Sequence, residues 1–261
     1  IGRRILTKLT SGPDLESYPV WTPDSRFVVF RSGPQGGQTD VYRRAADGTG
    51  ALERLTDTPE AEAPQMVLAD GRRVLARRAA TDTAPLGSLD LLELTPGAPA
   101  VPLFARPPAT MTSAEISPDG RWIAYQSPEG STFGEVHVRP FPDVEAGRWQ
   151  ISSGGGTRPM WSRSAQDMEL FYVASGAPPR LMRVPVEPAR AGAFVHGVPE
   201  PLFTLTDFTL GAIGRAFDLS ADSRRFLMVA PVTSDSERNR RVLMFVTHWT
   251  DELRARVPAG K

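Results

Sequence analysis

Trp21-Thr-Pro-Asp-Ser-Arg-Phe-Val-Val-Phe30 reads as a tight turn running into an apolar strand, and the chain repeats it. The copies are Val67-Leu-Ala-Asp-Gly-Arg-Arg-Val-Leu75, Ile116-Ser-Pro-Asp-Gly-Arg-Trp-Ile-Ala-Tyr125 and Leu219-Ser-Ala-Asp-Ser-Arg-Arg-Phe-Leu-Met228. A degraded copy, Trp161-Ser-Arg-Ser-Ala-Gln-Asp-Met-Glu-Leu-Phe-Tyr172, lies between the last two. The anchor aspartates Asp24, Asp70, Asp119 and Asp222 are 46, 49 and 103 residues apart, the last step spanning two repeats. A fixed period of this size marks a repeat architecture, in which each unit is a small sheet that stacks on its neighbours to bury its faces. Within the turn, Pro presets φ, Asp bonds its own backbone, and Gly or Ser follows where the chain reverses. The four aspartates are therefore read as structural turn residues, with a ring of carboxylates at one mouth as the alternative.

Working outward from the first copy, the pattern predicts strands over 18–22, 26–32, 40–45 and 52–56. Val28 and Phe30 alternate with Val29 and Arg31, and both faces are fairly apolar, as in a sheet held between other sheets. The same plan predicts third strands at 88–94, 135–139 and 181–186. The last repeat offers 215–219, 225–230 and 240–247 and then lacks a fourth strand. Ile5-Leu-Thr-Lys-Leu-Thr10 matches Glu53-Arg-Leu-Thr56, so the N-terminal segment is expected to close the last sheet. Closure protects the exposed edges that a sheet otherwise presents. The fold class is all-β: a β-propeller of four-stranded blades in one domain, 1–261, with five repeats visible. The ring is a closed five-blade ring or part of a six-blade one. The repeats fall at 11–56, 57–104, 105–152, 153–205 and 206–247, with 1–10 as closing strand and 248–261 as a short C-terminal helix and tail.

Bulk composition removes several classes of function. The 261 residues carry 30 basic and 30 acidic side chains, which gives no basic surface for nucleic acid or anionic membrane. There is no cysteine, so disulfides and thiolate metal sites are excluded. No apolar run approaches the roughly 20 residues that span a bilayer. The chain starts at Ile1, with no signal peptide, and reads as a piece of a longer protein.

Phosphoryl transfer needs a Gly-rich loop, a strand lysine, His-Arg-Asp and Asp-Phe-Gly. The only lysines are Lys8 and Lys261, outside such contexts, and no P-loop or Gly-x-Ser-x-Gly elbow occurs. His137, His196 and His248 lack the spacing of a shared metal site. His137 is expected on a solvent or blade surface. The acidic stretches 57–62 and 235–237 lack the calcium-loop pattern and read as solvated loops. Trp21, Trp122, Trp149 and Trp161 read as packing between blades. Gly154, Gly155 and Gly156 offer backbone donors to an anion or, more plainly, a flexible connection. Arg238, Arg240 and Arg241 form a basic run before the last strand, and Trp249, Leu253 and Val257 share a helical spacing. Arg238, Arg240, Arg241 and Trp249 are the candidate partner contacts. No cofactor is expected, and this chain is not expected to be an enzyme.

The phrase Pro19-Val-Trp-Thr-Pro-Asp-Ser-Arg-Phe-Val-Val-Phe30, with Asp40-Val-Tyr42 and Arg54-Leu-Thr56 after it, resembles the TolB-like (PD40, WD40-like) propeller repeat over nearly the whole chain. Two stretches narrow the likeness. Ser152-Ser-Gly-Gly-Gly-Thr-Arg-Pro-Met-Trp161, with Leu181-Met-Arg-Val-Pro-Val186 and Pro201-Leu-Phe203, is one. Val242-Leu-Met-Phe-Val-Thr-His-Trp-Thr-Asp-Glu-Leu-Arg-Ala-Arg-Val-Pro258 is the other. Both resemble the C-terminal propellers of bacterial eukaryotic-like serine/threonine protein kinases. His248 stands where that family has Asn, and residues 163–167 replace the fourth blade's Pro-Asp-Gly, which implies a remodelled turn. The resemblance implies a sensor or scaffold that binds a protein, peptide or small ligand. It implies a covalently linked kinase domain and a place on the extracytoplasmic, periplasmic side. The alternatives are a free-standing TolB-like periplasmic scaffold and the propeller gate of a prolyl-oligopeptidase-like peptidase. A gate needs a hydrolase sequence after it, whereas Val257-Pro-Ala-Gly-Lys261 reads as an ending.

Overall fold

The computed structural model describes residues 8–82, 87–104, 110–128, 134–187, 193–211, 215 and 217–231, and the backbone of 241–246. They form five antiparallel meanders, each strand pairing with the next in sequence. The first sheet holds β1 (Ser17–Trp21), β2 (Phe27–Ser32), β3 (Asp40–Ala45) and β4 (Glu53–Arg54). The second holds β5 (Glu62–Val67), β6 (Arg73–Arg78), β7 (Ser88–Glu93) and β8 (Val101–Pro102). The third holds β9 (Thr112–Ile116), β10 (Trp122–Ser127), β11 (Glu135–Pro140) and β12 (Trp149–Gln150). The fourth holds β13 (Gly156–Trp161), β14 (Glu169–Ala174), β15 (Arg180–Pro185) and β16 (Glu200–Thr204). The fifth holds only β17 (Phe217–Leu219), β18 (Phe226–Pro231) and β19 (Arg241–Val246).

Four sheets therefore complete the four-stranded plan, rather than the five expected. The proposed closing strand, except Lys8 to Thr10, lies outside the described residues, and so does the expected helix at 248–261. The described residues contain no helix, and hence none long and apolar enough to cross a membrane.

The chain divides into two compact units, Ile1–Met111 and Thr112–Lys261. In the first unit, Val20, Val29, Val41 and Leu55 of sheet one pack on Val67, Val74, Ala76, Leu92 and Leu94 of sheet two. In the second unit, sheets three and four share Trp122, Ala124, Val136 and Val138 with Trp161, Leu170, Tyr172 and Val184. Sheets four and five share Met160, Phe171, Val173 and Leu181 with Phe217, Leu219, Phe226 and Met228. Within each unit the first strands of successive sheets lie beside one another, β1 by β5 and β9 by β13. Four of these first strands, β1, β5, β9 and β13, are bulged against their partners. Tyr18, Ser113 and Arg158, at equivalent places in three of them, take left-handed φ values of 55°, 51° and 56°. Such conformations in residues with a Cβ are uncommon and are held by their surroundings.

Candidate functional site: a charged seam along the first strands of the second unit

The turn module explains why the aspartates recur. The Thr22 hydroxyl donates to Asp24 Oδ1 at 2.6 Å and accepts the Phe27 N–H at 3.0 Å. Ser117 does the same with Asp119 at 2.6 Å and the Trp122 N–H at 3.0 Å. Ser220 donates to Asp222 and accepts the Arg225 N–H. Sheet two has Leu68 at this place, and Asp70 instead takes the N–H groups of Arg72 and Arg73 and the Arg73 side chain. Each carboxylate is thus used inside its own turn. Hydrogen bonds hold the carboxyls of Asp24 and Asp222 below the usual range. For Asp70, burial opposes the same shift and the surrounding donors outweigh it.

Sheet four departs from the module. Ser162 accepts the Glu169 N–H at 2.9 Å across a turn two residues longer, and Arg163 stands where the others carry Pro or Ala. Arg163 is free of the turn and reaches across two other sheets. Its Nη1 contacts Glu115 Oε1 at 3.3 Å, and its Nη2 donates to Asp218 Oδ1 at 2.5 Å. Its backbone N–H donates to Ser223 Oγ at 2.7 Å. Arg215 Nη2 donates to the same Glu115 Oε1 at 2.8 Å, and its Nη1 lies 3.7 Å from Asp218. The other Glu115 oxygen accepts the Trp161 backbone N–H at 3.1 Å, and the Glu115 carbonyl accepts the Trp161 indole N–H at 3.0 Å. Burial opposes the charge on Arg215, but Glu115 and Asp218 more than offset it and raise its pKa.

The seam joins β9, β13 and β17 through two carboxylates and two guanidiniums. Glu115 is 4% exposed, whereas Arg163, Arg215 and Asp218 are 34%, 32% and 48% exposed. Glu115 is the buried post, and the two arginine forks that pair with it, like Asp218, are partly exposed. Such forks suit a carboxylate or a peptide carbonyl. Sequence reading missed all four residues, because none is a recurring position of the repeat. The one available signal was the broken turn at residues 163–167.

Arg238, Arg240 and Trp249 lie outside the described residues, and Arg241 opens β19 with only its backbone described. His137 is not on a surface: it is 1% exposed and stacked on Tyr125 at 5.7 Å. Burial pushes its pKa down, because the second face of this sheet is also covered. The stretch 57–62 is not wholly a solvated loop, since Glu62 opens β5 at 1% exposure. The glycine run does bind an anion, but an internal one: Gly155 N–H donates to Glu135 Oε1 at 2.9 Å. Trp122, Trp149 and Trp161 pack between sheets, while Trp21 is 57% exposed. Among the described residues, no three His, Asp or Glu side chains group to hold a metal ion.

No family model and no curated protein matches this sequence. Solved structures do. TolB from Acinetobacter baumannii superposes with a TM-score of 0.66 at 15% identity, over 92% of this chain and 53% of that one. A putative TolB from Agrobacterium tumefaciens gives 0.63 at 14% identity, over 92% and 80%. Prolyl oligopeptidase B from Galerina marginata gives 0.53 at 11% identity, over 88% and 34%. The chain thus spans about half the length of the A. baumannii TolB. At these identities the likeness establishes the fold: an all-β propeller with four-stranded blades, similar to the propellers of TolB structures.

Proposed function

We propose that this chain is a non-catalytic propeller that binds a peptide or protein partner through the charged seam. In this reading it is the extracytoplasmic sensor or scaffold module of a bacterial serine/threonine protein kinase. The observation that carries the binding reading is the division of labour around Glu115. The one deeply buried carboxylate of the seam has three donors on it, while the two arginines it positions reach solvent. A general base needs a carboxylate within reach of a substrate proton. Here the carboxylate that carries the most donors is buried, and the part-exposed groups are the two arginines and the Asp218 they pair with, a charged array that suits recognition on a rigid sheet scaffold. The kinase link rests on the sequence likeness of 152–203 and 242–258. A free-standing scaffold is the second reading, favoured by the TolB structures.

The test is in two parts. Upstream coding sequence should carry a lysine, His-Arg-Asp and Asp-Phe-Gly, followed by about 20 apolar residues. Full-length protein should then change its autophosphorylation when residues 1–261 are removed, and to a similar extent with Arg163→Ala plus Arg215→Ala. Autophosphorylation indifferent to deletion would reject the sensor role. Indifference to the arginine pair alone would reject the seam as its binding face.

A further inference from the structure

The bulge in the first strands recurs while the side chain it carries changes. Tyr18 with Pro19, Ser113 with Ala114 and Arg158 with Pro159 fall inside the register shifts of β1, β9 and β13. The leading residue of each pair is left-handed. A bulge re-aims its side chain, and backbone strain of this kind gathers where a side chain has a task. The fold requires the kinked backbone here but no particular residue, since Tyr, Ser and Arg all occupy it. Tyr18 is covered within its own sheet by the Arg31 guanidinium, 5.1 Å from its ring centre. Arg158 is half-buried, and its Nη2 donates to the Gly211 carbonyl at 2.6 Å, which pins the guanidinium against the segment leading to β17. That neutral carbonyl is the one hydrogen-bond partner of its side chain among the described residues.

Arg163 and Arg215 are matched by Glu115 and Asp218, whereas no carboxylate answers Arg158 among the described residues. Burial opposes the charge on both Arg215 and Arg158. The two carboxylates overturn it at Arg215, while at Arg158 burial acts alone and lowers the pKa. Taking a cation out of water without an anion is costly. A guanidinium has five N–H donors in a planar fork, and a fork held in place with donors to spare is complementary to a carboxylate. We propose, resting on the binding reading above, that Arg158 is a carboxylate-binding residue, and that the partner docks an acidic group, a side chain or a chain terminus, on its guanidinium. The kinked backbone and Gly211 hold the fork before the partner arrives, so less freedom is lost on binding.

Calorimetric titration of the full chain with three short peptides tests this. One is acetylated and amidated with a single Glu, one is acetylated with a free C-terminus and no acidic side chain, and one is a neutral acetylated amide. A carboxylate peptide should bind and the neutral one should not, and which of the two acids binds tells side chain from terminus. Arg158→Gln should weaken that binding by about tenfold or more, the loss of a charge-assisted hydrogen-bonded pair. Arg158→Lys keeps the charge without the fork; it should be weakened less but measurably, and it decides the matter should the Gln variant not fold. The proposal is overturned if acidic and neutral peptides bind alike, if no peptide binds, or if the Arg158 variants bind as the wild type does. Arg163→Ala plus Arg215→Ala separates the two readings. Binding lost there but kept in the Arg158 variants retains the seam and rejects this site. Binding lost in the Arg158 variants, with full-length autophosphorylation indifferent to removal of the propeller, retains the carboxylate site and rejects the sensor role.

Discussion

The residue after each turn aspartate is left-handed in four sheets: Ser25 at φ 59°, Gly71 at 66°, Gly120 at 70° and Ser223 at 55°. Glycine tolerates that region and a residue with a Cβ does not, by about 1–2 kcal/mol before the unfolded chain's greater freedom is subtracted. Ser25→Gly should therefore stabilise the chain by about 0.5–1 kcal/mol in denaturant unfolding. Gly120→Ala should cost about 1 kcal/mol, from strain alone, since nothing lies within 4 Å of the added methyl group. Ser223→Gly has the same dihedral argument and should gain nothing, because Ser223 Oγ accepts the Arg163 N–H from another sheet. Equal gains at Ser25 and Ser223 would show that this bond carries no weight. The turn chemistry was legible in the sequence because Pro, Asp and Gly act on their own backbone. The Ser223 bond was not, because its partner lies 60 residues away.

At the scale of elements, strands were read well where apolar pattern and turn punctuation coincide, as in the exact match at Asp40–Ala45. The pattern fails where an insertion supplies packing that no repeat predicts. Sheet four carries a long connection between β15 and β16, tied back by the Val186 to His196 bridge. It seats Phe194, 5% exposed, among Trp122 at 4.9 Å, Trp149 at 5.6 Å and Trp161 at 6.3 Å. Phe194→Ala should destabilise the second unit by about 3–5 kcal/mol, through lost transfer energy and the cavity left behind. Tryptophan fluorescence will report it, and a cost below about 1 kcal/mol would mean that the three indoles close the gap unaided. The charged seam makes a parallel case. Glu115→Ala removes the acceptor of the Trp161 N–H and the buried one of the two carboxylates that Arg163 and Arg215 share, and breaking one side of such a network costs about 3–5 kcal/mol. Glu115→Gln, which keeps an acceptor, should cost visibly less. Equal losses would make the charge, rather than the hydrogen bonds, the binding element.

Across the whole molecule the turn carboxylates set the acid side of the stability profile. The repeat told how many sheets to expect and where the turn aspartates fall. It gave no sign that Glu62, six residues beyond the Thr56 of a regular repeat ending, would be buried beside Arg78 rather than solvated. Asp24, Asp70 and Asp222 have folded pKa values below 3.8. A depressed carboxyl contributes stability that is present above its unfolded value and lost as pH falls through the folded one. Stability should therefore decline on the acid side below about 4, where the unfolded chain takes up protons the turns refuse. Replacing Asp24, Asp70 and Asp222 together by Asn keeps an acceptor for the turn N–H groups but removes the charge. Melts of that triple variant should show a lower Tm at neutral pH and a shallower acid limb. An unchanged acid limb would move the acid sensitivity away from the turns.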